Sequence, residues 1–370
     1  ALAPALMMRD AYASASKAKK SSPEDENEEG EEAPDPKRCA PQVSCLIPPL
    51  IPPPYLEGST MLLDMIDYAK DTVALYVKYT NAKLKKAMSP FLPDGSIPAA
   101  DEDQGGELQA NACSVLMKGL WLARLARPDC QKAISDLASR VQKWTRGDDK
   151  RLYRLICYLH TTSHYRLAGR VQDPLDSLEL FLFCDADFAG DKSDSKSTTG
   201  IFLALTGPNT FFPLNGVSKK QTCVSHSTPE AEIVAANSAV RLEGLPALQI
   251  WDTILQRKVQ ATLLEDNQAT MQILKSGRNP ALRHVSRTHR VNLAWISEVF
   301  RTCSQMGIQY CSTSEQAADI MTKGFSNPEV WKRATALIGM TKEGPDVNVY
   351  GILLPPFIQT QDNQEIFREF

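Results

Sequence analysis

Asp185, Glu232, Asp266 and Asp319 are the side chains on which any chemistry of this sequence would centre. Asp185 ends the nearly continuous apolar run Leu178-Glu-Leu-Phe-Leu-Phe-Cys184, and Asp266 follows a second run, Val259–Glu265. Glu232 falls in the first turns of a helix signalled by Thr228-Pro229, and Asp319 opens the last helix the pattern suggests. The four are separated by 47, 34 and 53 residues, so only a fold that returns its strand ends to one edge can gather them. In an open sheet the carboxyl ends of adjacent strands share such an edge. Four carboxylates there repel one another unless cations intervene. Hard divalent ions such as Mg2+ prefer oxygen ligands, and Mn2+ accepts them too. Two ions roughly 4 Å apart would clamp the attacking and leaving oxygens of an in-line phosphoryl displacement. The chemistry implied is phosphodiester hydrolysis. Each acid alone is more often a turn, a cap or a solvated helix residue; the joint order carries the reading.

The elements that must hold these acids follow from hydropathy. Strands are expected over Leu178–Cys184, Thr198–Leu205 and Phe211–Ser225, the last two separated by Thr206-Gly-Pro-Asn209. A helix follows over Ala231–Leu245 with Thr228 as cap, then a strand (Val259–Glu265) and a helix (Asn267–Ser276). A long amphipathic helix over Arg287–Cys303, a strand (Ile308–Cys311) and a helix (Glu315–Thr322) complete the pattern. Together they make one mixed α/β domain with a five-stranded sheet flanked by helices, over residues 173–340. Upstream, Cys113–Arg127, Gln131–Trp144 and Lys150–His160 read as helices, the last capped by Asp148, in a mostly helical section over 58–172. Trp121, Trp144 and Trp331 sit in amphipathic patterns and are expected in the core. Residues 1–57 read as a disordered acidic and proline-rich leader, and 341–370 as a tail.

Composition narrows the class. With 43% apolar residues in 370, the chain can bury a sizeable core. It contains no run of roughly 18 uncharged apolar residues, so no membrane partner is expected. The formal net charge is −3, but residues 1–36 hold four bases and nine acids, which leaves the remainder mildly basic and open to a polyanion. The nine cysteines show no Cys-x-x-Cys pair or zinc-ligand spacing, which points to a reducing compartment.

Six strings then occur in order: Asp185-Ala-Asp-Phe-Ala-Gly190, Lys196-Ser-Thr-Thr-Gly200, Ser218-Lys-Lys-Gln221, Ser227-Thr-Pro-Glu-Ala-Glu232, Asp266-Asn-Gln-Ala269 and Ala318-Asp-Ile-Met-Thr-Lys323. The series resembles the ribonuclease H domain at the end of the pol polyprotein of copia-type long-terminal-repeat retrotransposons. Leu125-Ala-Arg-Pro-Asp129 and Arg154-Leu-Ile-Cys-Tyr-Leu159 resemble the thumb and connection that follow a reverse-transcriptase palm. The resemblance implies a ribonuclease H-like fold and a two-metal endonuclease that cuts the RNA strand of an RNA–DNA hybrid. Asp185 and Asp266 would bridge the ions, with Glu232 and Asp319 as further ligands. Glu230 is the alternative helix acid, because residues two apart do not share a helix face. Asp187 is expected beyond the strand end and turned away.

The hybrid would be held through its phosphates by Lys192, Lys196, Lys219, Lys220, Arg287 and Arg290. His284 and His289 flank a turn, with proton transfer or product release set against a structural role; His226 carries the same pair of readings. Other pol products, including the palm, are the further partners implied. The location implied is cytoplasmic or nuclear, in a virus-like particle, and not secreted. Three positions depart from the pattern: Asn292 replaces an acid, Gly216 replaces a Trp, and Pro229 is an extra residue. The Tyr-x-Asp-Asp palm signature does not occur in these residues, so polymerase activity is not expected. The rival reading is an inactive retrotransposon remnant, or a nucleic-acid-binding or structural module.

Overall fold

β3 (Glu179–Asp187) lies inside the sheet, between two other strands, because most of its side chains are apolar on both faces. Leu180, Leu182 and Cys184 enter one core, and Phe183 enters the other. The computed structural model describes residues 59–190 and 194–342. The leader over 1–57, Lys192 and nearly all of the 341–370 tail lie outside the described residues.

In chain order, β1 (Ser59–Leu63) leads into α1 (Ile66–Thr80), α2 (Ala99–Asp103), α3 (Gln109–Leu125), α4 (Gln131–Ser139), α5 (Arg146–Thr161) and β2 (Arg166–Val171). After β3 come β4 (Thr198–Gly207) and β5 (Thr210–Lys220), which complete an antiparallel meander. Then follow α6 (Thr228–Ser238), α7 (Leu245–Leu255), β6 (Ala261–Glu265), α8 (Gln268–Ser276), α9 (Val285–Thr288), α10 (Leu293–Thr302) and β7 (Met306–Tyr310). A 3₁₀ turn (Ala317–Met321), α11 (Pro328–Leu337) and β8 (Met340–Thr341) end the described chain. β6 runs parallel to β3, and β7 parallel to β6. The sheet order is β1-β2-β5-β4-β3-β6-β7, with β8 on β2.

The five expected strands are β3 to β7; among the described residues the sheet has eight. β1, β2 and β8 escape hydropathy for different reasons. β1 is a five-residue edge strand with no buried residue, β2 reads as the polar string Arg-Leu-Ala-Gly-Arg-Val, and β8 is two residues long. The section before residue 173 is therefore not purely helical. Nor does it keep a core to itself: Tyr76 of α1, Leu116 of α3, Ile134 of α4 and Leu155 of α5 share one cluster with Phe183, Phe202 and Phe211 of the sheet. The other face is covered by Ile233 of α6, Leu248 of α7, Leu274 of α8 and Ile296 of α10.

Several local expectations shift. The helix expected over Arg287–Cys303 is two pieces, α9 and α10, because Arg290 adopts a left-handed φ of 58° and Asn292 starts a new helix as its N-cap. The cap of α5 is Thr145, in a reciprocal capping box with Asp148, and that of α6 is Ser227 rather than Thr228. The expected terminal helix is the 3₁₀ turn. Trp144 and Trp331 are buried, whereas Trp121 is 46% exposed on the outer face of α3.

Arg127 and Asp129, from the Leu125-Ala-Arg-Pro-Asp129 string, form a wholly buried ion pair at 2.8 Å. Arg127 also donates to the Thr162 carbonyl at 2.9 Å, and the Tyr158 hydroxyl donates to Asp129 at 2.6 Å. Removing one partner leaves the other charge buried without compensation. Arg127→Met is expected to cost about 3–5 kcal/mol in urea unfolding; a loss below about 1 kcal/mol would mean that the helices hold without the pair.

Candidate metal centre

The backbone brings acids to one end of β3 and β6 from both faces of the sheet. Asp185 alternates with Cys184, so the two neighbours point to opposite faces. Asp185 meets the 3₁₀ turn and the residues after it: it accepts from the Thr322 hydroxyl, and its Oδ1 lies 3.3 Å from Lys323 Nζ. Lys323 Nζ also lies 2.6 Å from Asp319 Oδ1. This approach requires Gly200, which is paired opposite Asp185. A Cβ there would sit 2.6 Å from the Thr322 methyl and 2.8 Å from the Ala318 carbonyl oxygen.

On the other face stand Glu232 of α6 and a residue that sequence reasoning passed over, Glu265. It is the last residue of β6 and has no exposed surface. Its carboxyl accepts from the Cys184 thiol at 3.1 Å and from the Asn267 amide at 3.1 Å. Asp266, one residue on, accepts from the Thr313 hydroxyl at 2.8 Å. Two groups of oxygens result, each with members within 4.8 Å of one another: Asp185, Asp266 and Asp319, and Glu232, Glu265 and Asp266. Asp266 belongs to both. The only sequence signal for Glu265 was an acid ending an apolar run directly before Asp266.

Glu230 faces elsewhere. Its Oε1 lies 3.1 Å from His284 Nε2 and 3.0 Å from His289 Nε2, and its Oε2 accepts from the His226 amide. Burial works to raise its pKa, but the His226 amide and His284 outweigh it and hold the carboxyl below the usual range. These three histidines therefore anchor the start of α6, and Glu232 is left to point at the cluster. Asp187 is part of β3 rather than beyond it; it accepts from the Thr198 amide and pairs with Lys132 of α4 at 3.6 Å.

Burial and mutual repulsion disfavour the charged forms of most of these carboxyls. Burial, then Glu265, Asp185 and Asp266, push the Glu232 carboxyl up to about 10. Burial is also the main cause for Glu265, pushed up to about 8, and for Asp319, up to about 7 with Asp185 next. Asp185 is raised by burial, against the pull of Lys323. Although burial opposes its charge, Asp185 and Asp319 raise Lys323. Glu232 Oε2 is buried and has no hydrogen-bond partner, a costly state for a carboxyl that a hard cation relieves. The all-oxygen donor set suits Mg2+ or Mn2+.

Of the basic residues named from sequence, Lys219 and Lys220 pair with Thr199 and Thr198, one and two steps beyond the Asp185–Gly200 level. They therefore lie at the cluster's end of the sheet. Lys219 is exposed; Lys220 and Lys196 lie 2.9 and 3.9 Å from Asp194. Arg287 and Arg290 are exposed beside the histidines that hold Glu230. Two departures from the motif pattern fall on supporting positions. Asn292 caps α10, accepting from the Ala294 and Trp295 amides, a role in which Asn and Asp are equivalent. A side chain at Gly216 would collide with the Met321 methyl, 2.7 Å away.

No protein-family model matches the chain. It is 26% identical over 231 residues to a retrovirus-related Pol polyprotein from transposon RE1 of Arabidopsis thaliana, and 25% identical over 227 residues to one from transposon TNT 1-94 of Nicotiana tabacum. These matches take in 62% and 61% of this chain but 15% and 16% of those proteins, so the chain spans about one-sixth of their length. Homologues of this chain include retrovirus-related Pol polyproteins of copia-type transposons. The solved LC11-RNase H1, isolated from compost by a metagenomic approach, is 15% identical with a TM-score of 0.28, covering 39% of this chain and 92% of that one. A likeness so slight carries no argument.

The raised carboxyls hold their protons to a higher pH in the folded chain than in the unfolded one. The folded state thus binds more protons between about pH 4.5 and pH 10 and loses stability as pH rises through that interval. Without divalent ions, the melting temperature is expected to fall from pH 5 to pH 8, and Glu232→Gln should flatten the fall. Adding Mg2+ at pH 8 should raise it again. A melting temperature independent of pH and of metal would mean that the carboxyls do not interact in this way.

Proposed function

We propose that this chain is a divalent-metal-dependent ribonuclease H, an endonuclease that hydrolyses the RNA strand of an RNA–DNA hybrid. The observation that carries the reading is the pair of carboxylate groups joined at Asp266, with the buried Glu232 Oε2 left unpartnered. Bound there, Mg2+ or Mn2+ would lower the pKa of a water and polarise a phosphate oxygen. The chain's own part is to hold the ligands. Asp185 and Asp266 stand at the ends of two buried strands, Asp266 in both carboxylate groups, and Asp319 and Glu232 complete the set from opposite faces. Rigid placement matters because an ångström of misplacement is costly to in-line geometry.

The hybrid would lie across the strand ends, with its phosphates on Lys219, Lys220 and Lys196 and, on the far side, Arg287 and Arg290. Lys192 lies outside the described residues. The kinship with Pol polyproteins supports an intracellular setting beside other pol products.

The full chain is the reagent, because α1, α3, α4 and α5 share a core with the sheet. With Mg2+ or Mn2+ it is expected to cut the RNA of a labelled hybrid. Asp185→Asn and Asp266→Asn should each lower the rate at least about a hundredfold, the scale of losing one charge-stabilising group. A folded chain that cuts with neither ion would favour the binding or remnant reading. Separately, Lys219→Glu with Lys220→Glu should weaken hybrid binding and flatten its dependence on log salt by about two. An unchanged slope would remove both lysines from the interface.

A further inference from the structure

The two carboxylate groups are not equivalent. Asp185 and Asp319 already have a cation: Lys323 Nζ sits between them at 3.3 and 2.6 Å, and the Thr322 hydroxyl donates to the second oxygen of Asp185. Among the described residues, Glu232 and Glu265 have none. Glu265 takes only a thiol and a backbone amide, and Glu232 Oε2 is partnerless inside a residue that is 4% exposed. A divalent ion approaching the Asp185–Asp319 side meets an ammonium held by both ligands. An ion approaching Glu232, Glu265 and Asp266 meets three carboxylate oxygens within 4.8 Å of one another, from a set that includes the carboxyl with the unsatisfied oxygen.

We propose that Glu265 is a fifth metal-binding carboxylate, that the first divalent ion binds between Glu232, Glu265 and Asp266, and that Lys323 keeps the Asp185–Asp319 position closed to a second ion until nucleic acid arrives. This rests on the metal-centre reading above. Lys323 is about one-third exposed, so it has a way out. The phosphodiester of a bound strand is an anion that draws the ammonium off the two aspartates, and the vacated oxygens then accept the second ion. Lys323 thus stands in for a metal ion while the site lacks substrate. Loading of the second position is tied to the presence of a phosphate, and the carboxylates are neutralised in both states. No bond is made or broken in this exchange; an ammonium leaves two carboxylates and a divalent ion replaces it.

Manganese titration of the full chain without nucleic acid, following free Mn2+ by paramagnetic resonance, tests the order of loading. Asp266→Asn, which removes the ligand common to both groups, supplies the background from acidic residues elsewhere. Above it the unaltered chain is expected to bind one ion and Lys323→Met two. Glu265→Gln should weaken the first ion by about tenfold or more, at least the penalty for losing a ligand's supporting partner. Adding a non-cleavable hybrid should bring the unaltered chain to two ions. Two equivalent ions on the unaltered chain without nucleic acid, a single ion on Lys323→Met, or undiminished affinity in Glu265→Gln would each overturn the proposal. The first of these needs no variant, so a folding defect cannot mask it. If the unaltered chain binds no ion, the metal centre itself falls. If ions load in the expected order but no hybrid is cut, only the nuclease reading falls.

Discussion

Mutual repulsion among carboxyls is the constraint on which the rest of this structure depends. Asp185, Glu232, Glu265, Asp266 and Asp319 converge where β3 and β6 end, with one ammonium, Lys323, among them. Like charges this close destabilise the fold that holds them, so the supporting elements must be rigid enough not to relax the acids apart. β3 and β6 meet that need by burial on both faces and parallel pairing from Leu180–Ala261 to Phe183–Leu264. α6 is fixed at its start by the Ser227 cap and by the histidines on Glu230. The 3₁₀ turn is fixed by its close approach to Gly200.

Seen from this cluster, the helices before residue 173 are part of the support. Phe202 stacks on Phe211 with ring centres 6.3 Å apart, and Trp331 of α11 meets Phe91 and Tyr158 edge-on at 5.6 and 5.9 Å. Both sets belong to one buried cluster that spans β4 and α5, and close packing of this kind transmits displacement rather than absorbing it. Asn292 and Gly216 fall on supporting positions on opposite faces of the sheet. One preserves a helix start, and the other leaves room for Met321, so neither alters the acidic set.

Charge is also organised along the sheet. The acids occupy the strand ends, and lysines follow one and two residues further along the β4–β5 hairpin. A polyanion drawn to those lysines brings its phosphates to the carboxylates, which repel it until cations intervene. The lysine nearest the acids, Lys323, is held most tightly, between two of them.

What the sequence determined by itself was whatever depends on local pattern. Apolar runs bounded by turn residues marked β3 to β7, because a strand covered on both faces must be apolar at nearly every position. The ends of those runs marked Asp185 and Asp266, and helix-start chemistry marked the neighbourhood of Glu232. Three matters were decided only by tertiary structure. β1, β2 and β8 joined the sheet because a neighbour offered free backbone groups, a cause that leaves little trace in their own residues. Glu265 joined the cluster because the period of two turns it toward Cys184 and α6, and from sequence it was just the last residue of a strand. The choice of Glu232 over Glu230, open in the sequence, followed from His284 and His289. They lie more than fifty residues away and reach Glu230 only in the folded chain.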